Sequence, residues 1–138
     1  MHLFNFNKIE YSPSNKGYFI ILKNNINKKK LPILIGSSEA QSLSLANENI
    51  KLPRPRTNDL LINFIEKING KFESIIINKY DKGTFYSIIK IKFSESLIEL
   101  DSRPSDSVEI SIKEKLPIYI SDKVLKLTNN KNIIKTQS

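Results

Sequence analysis

Between residues 100 and 107 the chain reads Leu100-Asp101-Ser102-Arg103-Pro104-Ser105-Asp106-Ser107, and nowhere else do two carboxylates, a guanidinium and three hydroxyls crowd so closely between apolar runs. Carboxylates can move a proton or hold a hard divalent cation, and an Arg fork grips phosphate or carboxylate through two parallel hydrogen bonds. Residues 96–100 read as a strand, and the first helical position after them is Pro104, where the missing N–H would have had no intrahelical partner. A strand entering a helix through such a turn aims unpaired N–H groups and short polar side chains at one point, an arrangement suited to an anion or a metal-bound phosphate. The same residues also make a capped helix with a structural Arg, so at this point both readings stand.

The rest of the composition narrows the chemistry. The chain has no Cys, which removes disulfides, thiolate ligands and Cys nucleophiles, and its only His, His2, sits at the extreme N-terminus, which argues against a Ser-His-Asp triad or a two-His zinc site. Acid–base or metal chemistry must therefore rest on carboxylates. The 138 residues carry 22 Lys and Arg against 14 Asp and Glu, a net charge of +8 that favours polyanionic partners. Arg54, Arg56 and Arg103 are the only arginines, and each has a Pro beside it. Lys cannot replace a planar fork at a bidentate site, although all three could equally be structural clamps. No run approaches the roughly 18 apolar residues of a membrane span, and the first residues lack the form of a signal peptide, so the expected compartment is the cytoplasm and no membrane partner is expected.

The elements that must position these groups follow from periodicity. Residues 3–9 and 18–22 suggest an opening hairpin, and 31–35 a third strand beginning near Pro32. Gly36-Ser37-Ser38-Glu39 opens a helix to about residue 49, with Ser37 or Ser38 as N-cap and Glu39 in the first turn. Leu52-Pro53-Arg54-Pro55-Arg56 is a stiff extended strut, after which Thr57 caps a helix whose Leu60, Leu61, Phe64, Ile65 and Ile68 give the clearest amphipathic pattern, ended by Asn69-Gly70. Residues 72–80 and 84–93 form a hairpin around Asp81-Lys82-Gly83. Val108, Ile110 and Ile112 alternate as in a strand, while Pro104 and the Ser-Asp opening argue for a helix; residues 116–120 repeat the form of 31–35, and 122–127 make one helical turn. The expectation is one domain over residues 1–127 with a flexible polar tail at 128–138.

Several segments together resemble the bifunctional nuclease (BFN) domain family: Leu31-Pro32-Ile33-Leu34-Ile35-Gly36 followed by Glu39-Ala40, Pro53-Arg54-Pro55 with Thr57 and Asp59, Gly83-Thr84-Phe85-Tyr86, residues 100–107, and Leu116-Pro117-Ile118-Tyr119-Ile120. The likeness runs from about residue 3 to residue 127. It implies an α+β fold, a single domain with a mixed, largely antiparallel β-sheet and three main flanking helices, and it favours a helix over 104–115. It also implies a bacterial-type homo-oligomer, a dimer, with nuclease activity on DNA and RNA in some relatives. Asn58 stands where the family commonly has His between the Thr and the Asp, and the tail is too short for the helical UVR-type motif that bacterial relatives often carry.

Two functions follow as expectations. The first is a metal-dependent nuclease, a hydrolase of DNA or RNA phosphodiesters. Asp101, Asp106, Asp59 and Glu39 would be its catalytic carboxylates, and Asp101 and Asp106 its ligands for Mg²⁺ or Mn²⁺. Arg54, Arg103, Thr57 and Ser105 would bind phosphate. The second is a non-catalytic, oligomeric ligand-binding or interaction module in which the same groups form an Arg–carboxylate network. A nucleic-acid binder without chemistry ranks last, because no aromatic stacking surface or basic recognition helix stands out.

Overall fold

Short turns decide the local pairing, and the sheet grows from two hairpin-built blocks. The computed structural model describes residues 1–130. In chain order these form β1 (His2–Ser12), β2 (Gly17–Lys23), β3 (Lys30–Ile35), α1 (Ser37–Asn47), α2 (Thr57–Lys67), β4 (Lys71–Asp81), β5 (Thr84–Phe93), β6 (Ser96–Ser102), α3 (Pro104–Glu114), β7 (Ile118–Ile120) and α4 (Asp122–Asn130). The β4–β5 hairpin turns through Lys82 and Gly83, both at positive φ, as the right-handed twist of its strands requires.

One seven-stranded sheet has the order β3-β2-β1-β7-β4-β5-β6. The block β3-β2-β1 meets the block β4-β5-β6 through β7, which runs antiparallel to β1 and parallel to β4. The sheet is therefore mixed, which corrects the expectation of a largely antiparallel one, and four helices rather than three accompany it. The parallel pair exists because α3 carries the chain back across the sheet from its β6 edge to its middle. Pro32 is accommodated because β3 is an edge strand, and β7 begins only after Pro117, which has no N–H to give a ladder.

Ile20, Leu22, Leu31, Ile33, Ile75, Ile77, Ile89, Ile91 and Ile118 on the strands and Ala40, Leu43, Ile62, Ile65, Val108 and Ile110 on the helices form one buried cluster. Residues 104–114 are helical throughout, and six of them are buried on most sides of the helix: Ser105, Ser107, Val108, Glu109, Ile110 and Ser111. The serines let α3 lie close to its neighbours, and their hydroxyls find partners. Ser107 Oγ is 3.0 Å from Ser87 Oγ, which donates to the Ser102 carbonyl at 2.8 Å, and Ser111 donates to the Leu116 carbonyl at 2.9 Å. That first relay fastens the start of α3 to the ends of β5 and β6. α4 runs three residues into the expected tail, where Thr128 is buried and donates to the Val124 carbonyl at 2.8 Å; residues 131–138 lie outside the described residues.

Candidate functional site

Three helices begin at one place. α1, α2 and α3 start from extended N-cap residues Gly36, Arg56 and Arg103, none of which caps its helix through its own side chain. The caps come instead from the first turns: Glu39 accepts from the Gly36 N–H at 3.2 Å, and Asp59 from the Arg56 N–H at 2.9 Å. The expected capping by Ser37 or Ser38 and by Thr57 is corrected accordingly, and Thr57 is left as the first helical residue with its hydroxyl free to face the cleft.

The first turns enclose a cleft of about 410 Å³ lined by Ser38, Glu39 and Ser42 of α1, by Arg56, Thr57 and Asn58 at the start of α2, and by Arg103, Ser105, Asp106 and Glu109 at the start of α3. Positive ends of three helix dipoles and two guanidinium-bearing residues meet here, offset by three carboxylates. Asp106 is its anchor. Arg103 Nε donates to Asp106 Oδ2 at 2.9 Å and Nη2 to Oδ1 at 3.4 Å, while Asn58 Nδ2 donates to the same Oδ1 at 3.1 Å. The hydrogen bonds that Arg103 donates to Asp106, and then the charges of Asp106 and Glu39, raise the Arg103 pKa against the opposing effect of burial. One edge of that fork is spent on Asp106, and its remaining N–H groups are available to an anion.

Below the cleft a second polar chain joins the helices. Ser42 of α1 donates a very short hydrogen bond to Glu109 Oε1. Lys113 Nζ lies 3.2 Å from Glu109 Oε2 and 2.5 Å from Asp59 Oδ1, tying α3 to α2. Burial works to raise the Asp59 carboxyl, but the hydrogen bonds from Lys113 and from the Arg56 N–H outweigh it and hold the group below its ordinary range. Burial likewise works to lower Lys113, and Asp59 and Glu109 together raise it. Glu109 is 3% exposed, and its Oε2, although ion-paired, has no hydrogen-bond donor aligned on it.

The expected site residues therefore divide. Glu39, Asp106, Thr57, Ser105 and Arg103 line the cleft together. Asp59 does not, because its carboxylate is turned to Lys113. Asp101, which pairs with Ile88 on β5, does not line this cleft and instead lines a neighbouring cavity that Arg103 and Asp106 share. Arg54 is exposed on the strut and does not line this cleft; Arg56 takes the place expected of it. Glu109, Lys113 and Ser42 went unread in the sequence. The Glu109/Lys113 spacing of four is a helical pair, but the alternation of Val108, Ile110 and Ile112 assigns Glu109 to a solvent-facing strand position.

Among the described residues no three Asp, Glu or His side chains gather as a metal cage. The donor chemistry agrees: Asp106 is engaged by Arg103 and Asn58, and Asp59 by Lys113. The expected Asp101 and Asp106 pair does not fit a resident Mg²⁺ or Mn²⁺.

The fold and the cleft define an α+β domain with a polar cleft at three helix starts. A family model described as the bifunctional nuclease domain matches residues 20–132, and the chain belongs to that family. An uncharacterized protein of Mycobacterium tuberculosis is 33% identical over 113 residues, which are 82% of this chain and 66% of the relative. Bifunctional nuclease 1 of Oryza sativa and a bifunctional nuclease of Oryza minuta are each 28% identical over 97 residues, 68% of this chain and 29% of theirs. The chain thus spans just under two thirds of the mycobacterial relative and under a third of the plant ones. No helix among the described residues is long and apolar enough to cross a membrane.

Proposed function

We propose that this domain hydrolyses phosphodiester bonds of nucleic acid, DNA or RNA, in the cleft at the starts of α1, α2 and α3. The observation that carries the reading is the meeting of Arg56 and Arg103 with three helix N-termini in one open polar cleft. Family membership and the net charge of +8 support it. Arg103 and Arg56 hold the non-bridging oxygens, and Thr57 and Ser105 add hydrogen bonds. Glu39, half-buried with one oxygen on the Gly36 N–H, takes the proton of the attacking water as the P–O bond to the leaving oxygen breaks. Asp106 positions Arg103 and Asn58.

Cleavage of single-stranded RNA and DNA by the purified chain, with and without EDTA, tests this. Glu39→Gln is expected to lower the rate by about 100-fold or more and Arg103→Ala to weaken substrate binding as well. Cleavage that survives both substitutions overturns the assignment. A second reading, a binding module without chemistry, is favoured by the saturation of Asp106 and Asp59 by Arg103 and Lys113. It is the outcome if nucleic acid binds through Arg103 and is never cut. A homodimer is proposed on the exposed Leu97 and Ile98 of edge strand β6, and sedimentation of wild type against Leu97→Lys tests that.

A further inference from the structure

A second cavity, of about 520 Å³, opens beside the phosphate cleft and shares Asn58, Arg103 and Asp106 with it. The rest of its wall is more apolar, with Leu61 of α2, Phe85 and Tyr86 of β5, and Leu100 of β6, although Asp101 and Ser102 of β6 line it as well. It exists because β6 leaves the sheet after its last pair, Ser102 with Ser87, to enter α3, whereas β5 continues through Thr84–Tyr86 paired only with β4. On the side that β6 has left, the backbone of those residues faces the cavity with no strand partner. Tyr86 and Leu100 are each 37% exposed. The walls are also braced: Lys79 Nζ sits 4.8 Å from the centre of the Tyr86 ring, and Tyr80 packs on Phe85 at 4.6 Å. No aromatic surface was legible in the sequence, because Phe85 and Tyr86 alternate along one strand and only the departure of β6 uncovers both at one opening.

We propose that this cavity receives an unpaired nucleobase attached to the phosphate in the cleft, so that the domain engages single-stranded nucleic acid. The inference deepens the nucleic-acid reading and rests on it. Every base has a π-face, which an aromatic and aliphatic wall accepts, and an edge of donors and acceptors, which the Asn58 amide and the unpaired β5 backbone can meet. Asn58 spends its Nδ2 on Asp106, which fixes the amide and leaves its carbonyl for a base amino group. A base stacked and paired within a duplex cannot enter a wall cavity without being flipped out, at an energetic cost a single strand does not carry. The volume lies in the range of small-ligand sites, and the three shared residues place phosphate and base a single nucleotide apart.

Calorimetric titration of the full chain with 5′-AMP and with ribose 5-phosphate separates base from phosphate. AMP is expected to bind about tenfold tighter, Tyr86→Ala to remove that advantage while leaving ribose 5-phosphate unchanged, and Arg103→Ala to weaken both ligands. Leu100→Ala, at the opposite wall, makes the same test if Tyr86→Ala loses its folded circular-dichroism spectrum. A single-stranded octanucleotide is expected to compete with AMP at least tenfold better than the matching duplex. Equal affinity for the two small ligands, both sensitive to Arg103→Ala, overturns the base site and leaves the phosphate cleft standing. Equal competition by single strand and duplex also overturns the base site, and no binding of either small ligand defeats the phosphate cleft and the base site together.

Discussion

Lys113→Met isolates the polar chain beneath the cleft. Met keeps most of the aliphatic stem and removes the ammonium, leaving Glu109, only 3% exposed, with the Ser42 hydroxyl alone. Unit charges at the observed 3.2 Å separation attract by about 5 kcal/mol at an effective dielectric constant near 20, a gross figure before desolvation. Removing one partner of a buried pair costs about 3–5 kcal/mol, because the survivor stays buried and uncompensated. Lys113 retains some solvent contact, so the lower end applies, about 3 kcal/mol, or a fall of roughly 10 °C in Tm for a chain of this size. Urea denaturation followed by circular dichroism measures it. The diagnostic arm is the double variant: adding Glu109→Gln to Lys113→Met removes the stranded charge and is expected to restore about 1 kcal/mol or more. A loss below about 1 kcal/mol in the single variant, or a further loss in the double, refutes the claim that Lys113 compensates a buried carboxylate.

Asp59 titrates below its ordinary 3.8 in the folded chain, so between the folded and ordinary values the unfolded chain binds more protons. Its stabilisation is present above that range and lost as the pH falls through it; Asp59→Asn is expected to flatten this part of the acid limb in urea midpoints taken from pH 5 to pH 2. Lys113 is raised above 10.5, so its contribution is complete below that pH and fades above it, which an alkaline series checks. Arg56→Ala is expected to weaken nucleic-acid binding and reduce the salt slope by about one counterion, whereas Arg54→Ala, outside the cleft, leaves the slope unchanged; anisotropy titrations across salt concentrations decide between them. Gly83→Ala places a side chain at φ +86° with nothing within 4 Å of its Cβ, so backbone strain alone acts and the expected loss is about 1 kcal/mol in thermal unfolding.

Particular elements show how far local reading reaches. The β4–β5 hairpin is legible because Asp81-Lys82-Gly83 states both the turn and the register. Asn69-Gly70 closes α2 by the expected C-cap chemistry, with Asn69 at positive φ and the Gly70 N–H donating to the Ile65 carbonyl at 2.8 Å, while the structure adds that a Cβ on Gly70 would lie 2.9 Å from Ile65 Cγ2. α3 misleads by periodicity because a helix enclosed on most sides has no solvent face to impose a 3.6-residue stripe, and its serines look polar while being buried and bonded.

The sequence by itself determined the turns, the strand and helix boundaries to within a few residues, and the exclusion of thiol and histidine-based chemistry, since each depends on residue type or on neighbours a few positions away. It also brought forward Arg103, Asp106, Glu39, Thr57 and Ser105, whose place at strand-to-helix or strut-to-helix junctions is a local property. Only the tertiary structure decided which of the polar segments meet. It turned Asp59 toward Lys113, set Asp101 beside a neighbouring cavity rather than in the cleft, replaced Arg54 by Arg56, and buried Glu109 between helices 67 residues from the Ser42 that donates to it. Those outcomes depend on the register of β6 and on the crossing of α3 over the sheet, which are set by packing between distant parts of the chain rather than by any local pattern.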